Sequence, residues 1–388
     1  MMGKDEQTQE NKNTNPPPPL NLQTHSFSSL PDEIVENILA RVSKAKYPTL
    51  SLVSKRFRSL LSSPELYKTR SLLGTTEPCL YLCLKHSEDQ PPRWYSLWMK
   101  PVDETLTEGD NPLPRGDYSL FPVPSSTNPT LVPYYSMVAV GSELYVIGGG
   151  SYKARSSAVR ILDCRTHTWR DGPSMLVSRL HVYAFLLAEK IYVMGSCGIF
   201  DESLNWIEVL DIKTQTWRHL RSHGADEFDD WFEINVVEGK IHAIGAKRSN
   251  AYDPQESRWE VVEKYSCSIS INAWCVIEDV MYCFTDSGDC KWYDSNARDW
   301  IDVKGSDLEL LLCPRTCSPA WGRVEMHNVG GKLLVMWVPY FRDDNDERRL
   351  WCAKIALQKR GNEVWGKIEW ANSISDSPWF FSCGVISI

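Results

Sequence analysis

The sequence predicts two folded parts behind a polar tail. They are a small all-α head of three short helices and an all-β propeller, most simply of six blades closed by the C-terminal strand. Three observations predict this. Between Leu30 and Leu61 apolar residues recur at steps of three and four, the period that lines one face of a helix. Further on, the spacing Asp-x5-Trp occurs four times, at Asp163/Trp169, Asp211/Trp217, Asp253/Trp259 and Asp294/Trp300, so that successive tryptophans stand 48, 42 and 41 residues apart. Upstream of each lies a turn and then an apolar β-type run: Gly141–Gly148, Ala188–Gly195, Glu238–Gly245 and Glu278–Phe284, with a fifth at Gly330–Met336. Self-similarity at this period marks a ring of four-stranded blades, none of which can bury its own faces alone.

In chain order, residues 1–27 are rich in Gln, Asn, Thr and Pro and include Pro16–Pro19. Such a segment cannot offset its ordering entropy, so a disordered tail is expected. The head spans 28–72. Ser29-Leu-Pro-Asp32 offers a helix start with proline in the first turn, and Leu30, Ile34 and Ile38, flanked by Val35, Leu39 and Val42, make one apolar stripe. Pro48 opens a second helix carrying Leu50, Val53, Phe57, Leu60 and Leu61, and Ser62-x-x-Glu65 caps a third through about Arg70. Forty residues cannot hide so many apolar side chains internally, so a partner is implied. Seven basic residues against one acid between Lys44 and Arg70 read as a solvated helix face, or as one steering toward an acidic partner.

The propeller spans 78–388. In each repeat the Asp bonds the backbone of the turn that it opens, and the Trp six residues later fills the wedge between blades. Cys79–Leu84 looks like a second strand with no first strand before it. Phe380–Ile388 looks like a first strand with no blade after it. Pairing the two closes the ring and hides two sheet edges. The stretches 101–117 and 341–349 are then insertions.

Composition bounds the function. With 42 Lys and Arg against 50 Asp and Glu, the net charge is −8, which argues against a dedicated nucleic-acid binder. No apolar run reaches the ~18 residues of a membrane helix, so no membrane partner is expected. The N-terminus lacks an apolar signal core, and the one Asn-x-Thr triplet, at Asn128, has proline in its middle. Cys79, Cys83, Cys275 and Cys283 sit in apolar runs, so reduced thiols and a cytoplasmic or nuclear location are expected.

The run Leu30-Pro-Asp-Glu-Ile-Val-Glu-Asn-Ile-Leu-Ala-Arg41, followed by Leu50-Ser-Leu-Val-Ser-Lys-Arg-Phe-Arg-Ser-Leu60, closely resembles an F-box. It departs at Phe57, where many members place Trp. The resemblance implies binding to the Skp-type adaptor, and through it to the cullin and RING subunits, of a ubiquitin ligase. Residue by residue it assigns adaptor contacts to Leu30, Pro31, Ile34, Ile38, Leu39, Leu50, Val53, Ser54 and Phe57. Residues 78–388 resemble kelch repeats unevenly: only the 135–175 repeat has the full double glycine. Together these imply a non-catalytic substrate receptor, the propeller holding a protein substrate for ubiquitination. The alternatives are a ligase-independent kelch scaffold or, less simply, a kelch-fold copper oxidase.

No cofactor or metal is expected. His219-x3-His223 lacks a helical Glu-bearing signature, Cys313-x3-Cys317 lacks a second pair at zinc spacing, and Gly148–Gly150 ends a strand with no helix to follow. No Gly-x-Ser-x-Gly is present. For substrate contacts the sequence nominates Arg155 and Arg179, as exposed cations, and the acidic loop bearing Asp226, Asp229 and Asp230.

Overall fold

The structure is a computed structural model. It describes residues 27–87, 90–99, 118–124, 135–149, 155–179, 182–195, 207–220, 232–245, 249–262, 271–285, 287–305, 308, 324–338, 349–376 and 380–388. The expected tail and both insertions fall almost wholly outside them.

Four helices form the head: α1 (Asp32–Ala40), α2 (Tyr47–Leu50), α3 (Lys55–Leu61) and α4 (Pro64–Leu73). The expected middle helix is thus two. The chain leaves the helix after Leu50 and resumes at Ser54, whose extended backbone lets its hydroxyl accept the Phe57 N–H and cap a fresh helix. The other caps also differ from expectation by small shifts. Ser63, not Ser62, caps α4 by accepting the Leu66 N–H. In α1 the N-cap position falls to Pro31 with no side-chain cap, and Asp32 instead meets Arg56 at 2.7 Å. Val35, Leu39, Ala40, Tyr47, Leu61 and Leu66 form the head's core.

The remainder is a propeller of six four-stranded antiparallel sheets. Blade 1 contains β1 (Pro78–Lys85), β2 (Arg93–Met99) and β3 (Tyr118–Val123). Blade 2 contains β4 (Tyr135–Val140), β5 (Glu143–Gly148), β6 (Val159–Asp163) and β7 (Thr168–Asp171). Blade 3 contains β8 (Tyr183–Leu187), β9 (Lys190–Met194), β10 (Ile207–Asp211) and β11 (Thr216–Leu220). Blade 4 contains β12 (Phe232–Val237), β13 (Lys240–Gly245), β14 (Ser249–Asp253) and β15 (Arg258–Val261). Blade 5 contains β16 (Ile271–Ile277), β17 (Val280–Thr285), β18 (Cys290–Asp294) and β19 (Asp299–Asp302). Blade 6 contains β20 (Val324–Val329), β21 (Lys332–Trp337), β22 (Arg349–Arg360) and β23 (Glu363–Asp376). The last strand, β24 (Phe380–Ser387), returns to blade 1 and pairs with β1 from Pro78↔Ser387 to Lys85↔Phe380. That is the closure the sequence predicts.

The repeat chemistry works as its residues require. Asp211 Oδ1 accepts the N–H groups of Lys213 and Thr214, Asp253 those of Gln255 and Glu256, and Asp294 that of Asn296. The fourth residue after each Asp (His167, Gln215, Ser257, Arg298) turns left-handed with φ of 54–56°, which lets the hairpin close in one step. The Trp then lies against the preceding blade. Trp217 packs with blade 2 residues Val138 and Tyr145 and donates to Pro173 O at 2.8 Å. Trp169 packs with blade 1 and donates to Pro124 O at 3.0 Å.

Side chains also stitch the innermost strands together. Asn235 donates to Trp274 O, Asn328 to Val276 O, and Glu325 accepts the Cys383 N–H at 2.7 Å. The last of these joins β20 to the closing strand.

Candidate functional site

The head presents an apolar edge. Pro31, Ile34 and Ile38 of the α1 region and Val53 before α3 are exposed, Ile34 by 49% and Val53 by 65%. The edge is held in shape by Arg56 of α3, which donates to Leu30 O and pairs with Asp32, and by Phe27, whose ring meets Phe57 edge-on at 5.6 Å.

Other nominated positions serve the head itself. Leu39 is only 2% exposed and lies in the head's core. Leu30, Leu50 and Phe57 are half-buried against that core, and the Ser54 hydroxyl is spent on its cap. Leu52 and Leu72, more than three-quarters exposed, were missed by sequence reasoning. Leu52 sits in the break between α2 and α3, and a broken helix carries no periodic signal.

Two of the basic residues expected on a solvated face are interior. Arg70 is 1% exposed because α4 aims it at the junction with the propeller. There it donates to the carbonyls of Ala40, Val42 and Thr75 and to the Tyr47 hydroxyl. Lys44, 4% exposed, is buried where the head meets the propeller, its ammonium over the rings of Tyr67 of α4 and Trp98 of blade 1. Burial lowers the Lys44 pKa and raises that of neighbouring Cys79. Glu77 ties the parts together, accepting the Lys44 N–H at 2.8 Å and pairing with Arg70 at 3.5 Å. Tyr67 of α4 packs against a cluster of blade 1 and blade 2 side chains that includes Cys79, Tyr81 and Ile388. The head is therefore docked on the propeller.

Docking defines two faces. Glu77 and Ile388 exchange backbone hydrogen bonds at the head's end of blade 1. The turns joining the first to the second strand and the third to the fourth strand of each blade lie at that end. The connections between second and third strands, and between blades, lie at the other.

Arg155, between β5 and β6, is exposed and belongs to the far face. Arg179, between β7 and β8, belongs to the same end but is not exposed. At 0% exposure it pairs with Glu208, itself 0% exposed, at 2.8 Å and donates to Gly195 O at 2.6 Å. Glu208 also accepts the N–H groups of Leu176 and Val177. The expectation of a free surface cation fails here because a buried carboxylate two blade strands away neutralises it. The connection carrying Asp226, Asp229 and Asp230 leaves β11 and enters β12 at the far end, and these three residues lie outside the described ones.

Among the described residues no three His, Cys, Asp or Glu side chains converge as a metal site would require. His219 is exposed on β11, and His223, Cys313 and Cys317 lie outside the described residues. Among those residues, too, no helix is long and apolar enough to cross a membrane.

Comparison with known proteins agrees with both parts. Residues 27–69 match the family model of the F-box domain, and residues 94–375 match that of the FKB95 kelch-repeats domain. The chain is similar to several F-box/kelch-repeat proteins of Arabidopsis thaliana. One is 46% identical, covering 100% of this chain and 98% of its own length. Two others are 40% and 41% identical, covering 99% and 95% of this chain and 98% and 95% of theirs.

Proposed function

The chain belongs to the F-box/kelch-repeat family, and from that premise we propose that it is the substrate-recognition subunit of a Skp–cullin–F-box ubiquitin ligase. The observation that carries this reading is the apolar edge of Pro31, Ile34, Ile38 and Val53, left exposed on a head that is itself docked on a propeller. An exposed apolar edge of this kind marks a protein interface. The Skp-type adaptor would cover it, with Leu30, Leu50 and Phe57 as the partly buried floor. The far face of the propeller, free of the head, would take a protein substrate, with Arg155 at its rim. No residue of this chain reacts. The contribution to ubiquitin transfer is the effective concentration of a held substrate beside the charged conjugating enzyme.

Co-purification with a Skp-type adaptor tests the reading. Pro31→Ala combined with Ile34→Asp should abolish adaptor capture while the propeller's thermal transition stays in place. Undiminished capture overturns it.

A further inference from the structure

Blade 6 differs from the other blades in its outer hairpin. β22 and β23 run 12 and 14 residues, whereas the third and fourth strands of blades 2–5 run four or five. β22 pairs with β21 only from Trp351 to Ile355. Residues 356–367 therefore continue as a two-stranded arm beyond β21 that turns at Gly361 with φ of 61°.

The arm is fixed to blade 5. Lys304 N–H donates to Val364 O at 2.8 Å and Gly366 N–H to Lys304 O at 2.7 Å. Leu357, Val364 and Ile368 pack with Val303 and Leu308. A Cβ on Gly366 would stand 2.9 Å from Leu308 Cδ1, so glycine allows the close approach.

Cross-strand partners share a face of a hairpin. The pairs Gln358↔Trp365, Arg360↔Glu363 and Ala356↔Lys367 therefore place Ala356, Gln358, Arg360, Glu363, Trp365 and Lys367 on one side, where Glu363 is already engaged, accepting the Trp365 Nε1–H at 3.1 Å and pairing with Lys304. Arg360 is oriented before any ligand arrives. Its guanidinium stands 5.1 Å from the Trp365 ring centroid, and its Nε and Nη2 both donate to Gln358 Oε1, at 3.0 and 2.8 Å. Nη1 keeps its donors. Lys359 sits over Trp292 at 5.4 Å.

Neighbouring cations are neutralised, Lys304 by Glu363, Lys332 by Glu369 and Lys291 by Asp302. Lys359, Arg360 and Lys367, all exposed, have no carboxylate at ion-pair distance among the described residues. In a chain of net charge −8, that is a local concentration of pre-oriented positive charge, the arrangement that suits bidentate recognition of carboxylates.

We propose that the β22–β23 arm docks an acidic segment of a partner protein, rich in Asp and Glu, with Arg360 and Lys367 flanking Trp365 as the contact. Two structural facts favour a protein segment: the arm is held against blade 5 by backbone hydrogen bonds to Lys304, and its exposed cations are spaced along the hairpin.

A fluorescein-labelled octaglutamate peptide, titrated into the full chain at low salt, tests this. Binding is expected, together with slowed amide exchange over residues 356–367. Arg360→Glu with Lys367→Glu should weaken binding at least about tenfold, the scale of losing charge-assisted hydrogen bonds. Arg360→Lys should fall between the two, and Lys213→Glu, an exposed cation of blade 3, should match the wild type. The proposal is overturned by equal affinity in the charge-reversed arm, by equal loss in Lys213→Glu, or by exchange protection elsewhere. It is also overturned if inorganic phosphate competes far better than chloride at matched ionic strength, which would assign the cations to phosphate. None of these readouts depends on the adaptor, so the test stands apart from the ligase reading.

Discussion

Glu208 shows how much one side chain can organise. It lies in the interior of β10, accepts two backbone N–H groups from the Leu176–Val177 segment and holds the Arg179 guanidinium at 2.8 Å. Removing one member of a buried pair leaves an uncompensated charge in a low-dielectric site. Glu208→Ala should therefore destabilise the chain by about 3–5 kcal/mol. Glu208→Leu with Arg179→Met should recover much of that, because the charge leaves with its partner. Denaturant titration of the three chains checks it, and a cost for Glu208→Ala below that of the double variant would refute the pair's role. None of this was legible in sequence. Arg179 follows a proline-containing loop, where a lone cation reads as solvated, and its partner lies 29 residues away on another blade.

At the scale of elements, the contact between head and propeller is set by helix ends and turn residues. Tyr81 gives its one O–H to Cys164 O at 2.9 Å, so the contact to His167 Nε2 at 3.0 Å requires His167 to donate. Burial, then the nearby Lys44 ammonium, lowers the His167 pKa from its ordinary value. Because the folded state resists the proton more than the unfolded chain does, the stability due to His167 is complete above the ordinary histidine pKa of ~6.5. It is lost as pH falls below that value through the lowered one. The midpoint of thermal unfolding should drop between pH 7.5 and pH 5, and His167→Gln should flatten part of that slope. An identical slope in the variant would count against the assignment. The helices themselves were legible from spacing. Their exact ends were not, because Ser62 and Ser63 offer equal caps locally and packing of Leu66 in the head's core selects the second.

For the whole molecule, ring closure is the decisive feature. Each inter-blade wedge is filled by side chains from two sheets, and β24 supplies blade 1 with its innermost strand. At Gly384 even a Cβ would approach Leu144 Cδ1 at 3.0 Å and Met137 Sδ at 3.1 Å, so the last strand is fitted tightly against blade 2. Removing residues 380–388 should abolish the single cooperative unfolding transition in calorimetry, since it exposes two sheet edges and opens two wedges. An unchanged transition would mean that closure contributes little. The sequence by itself determined the repeat, the Asp-x5-Trp hairpins, the composite blade and the apolar head, because each rests on short-range periodicity or on turn chemistry within a few residues. Tertiary structure alone decided that Lys44, Arg70 and Arg179 are interior, that the head docks against blades 1 and 2, and that the arm of blade 6 lies against blade 5. The reason is physical: burying a charge depends on partners that neutralise it, and those partners are distant in the chain and meet only when the blades close.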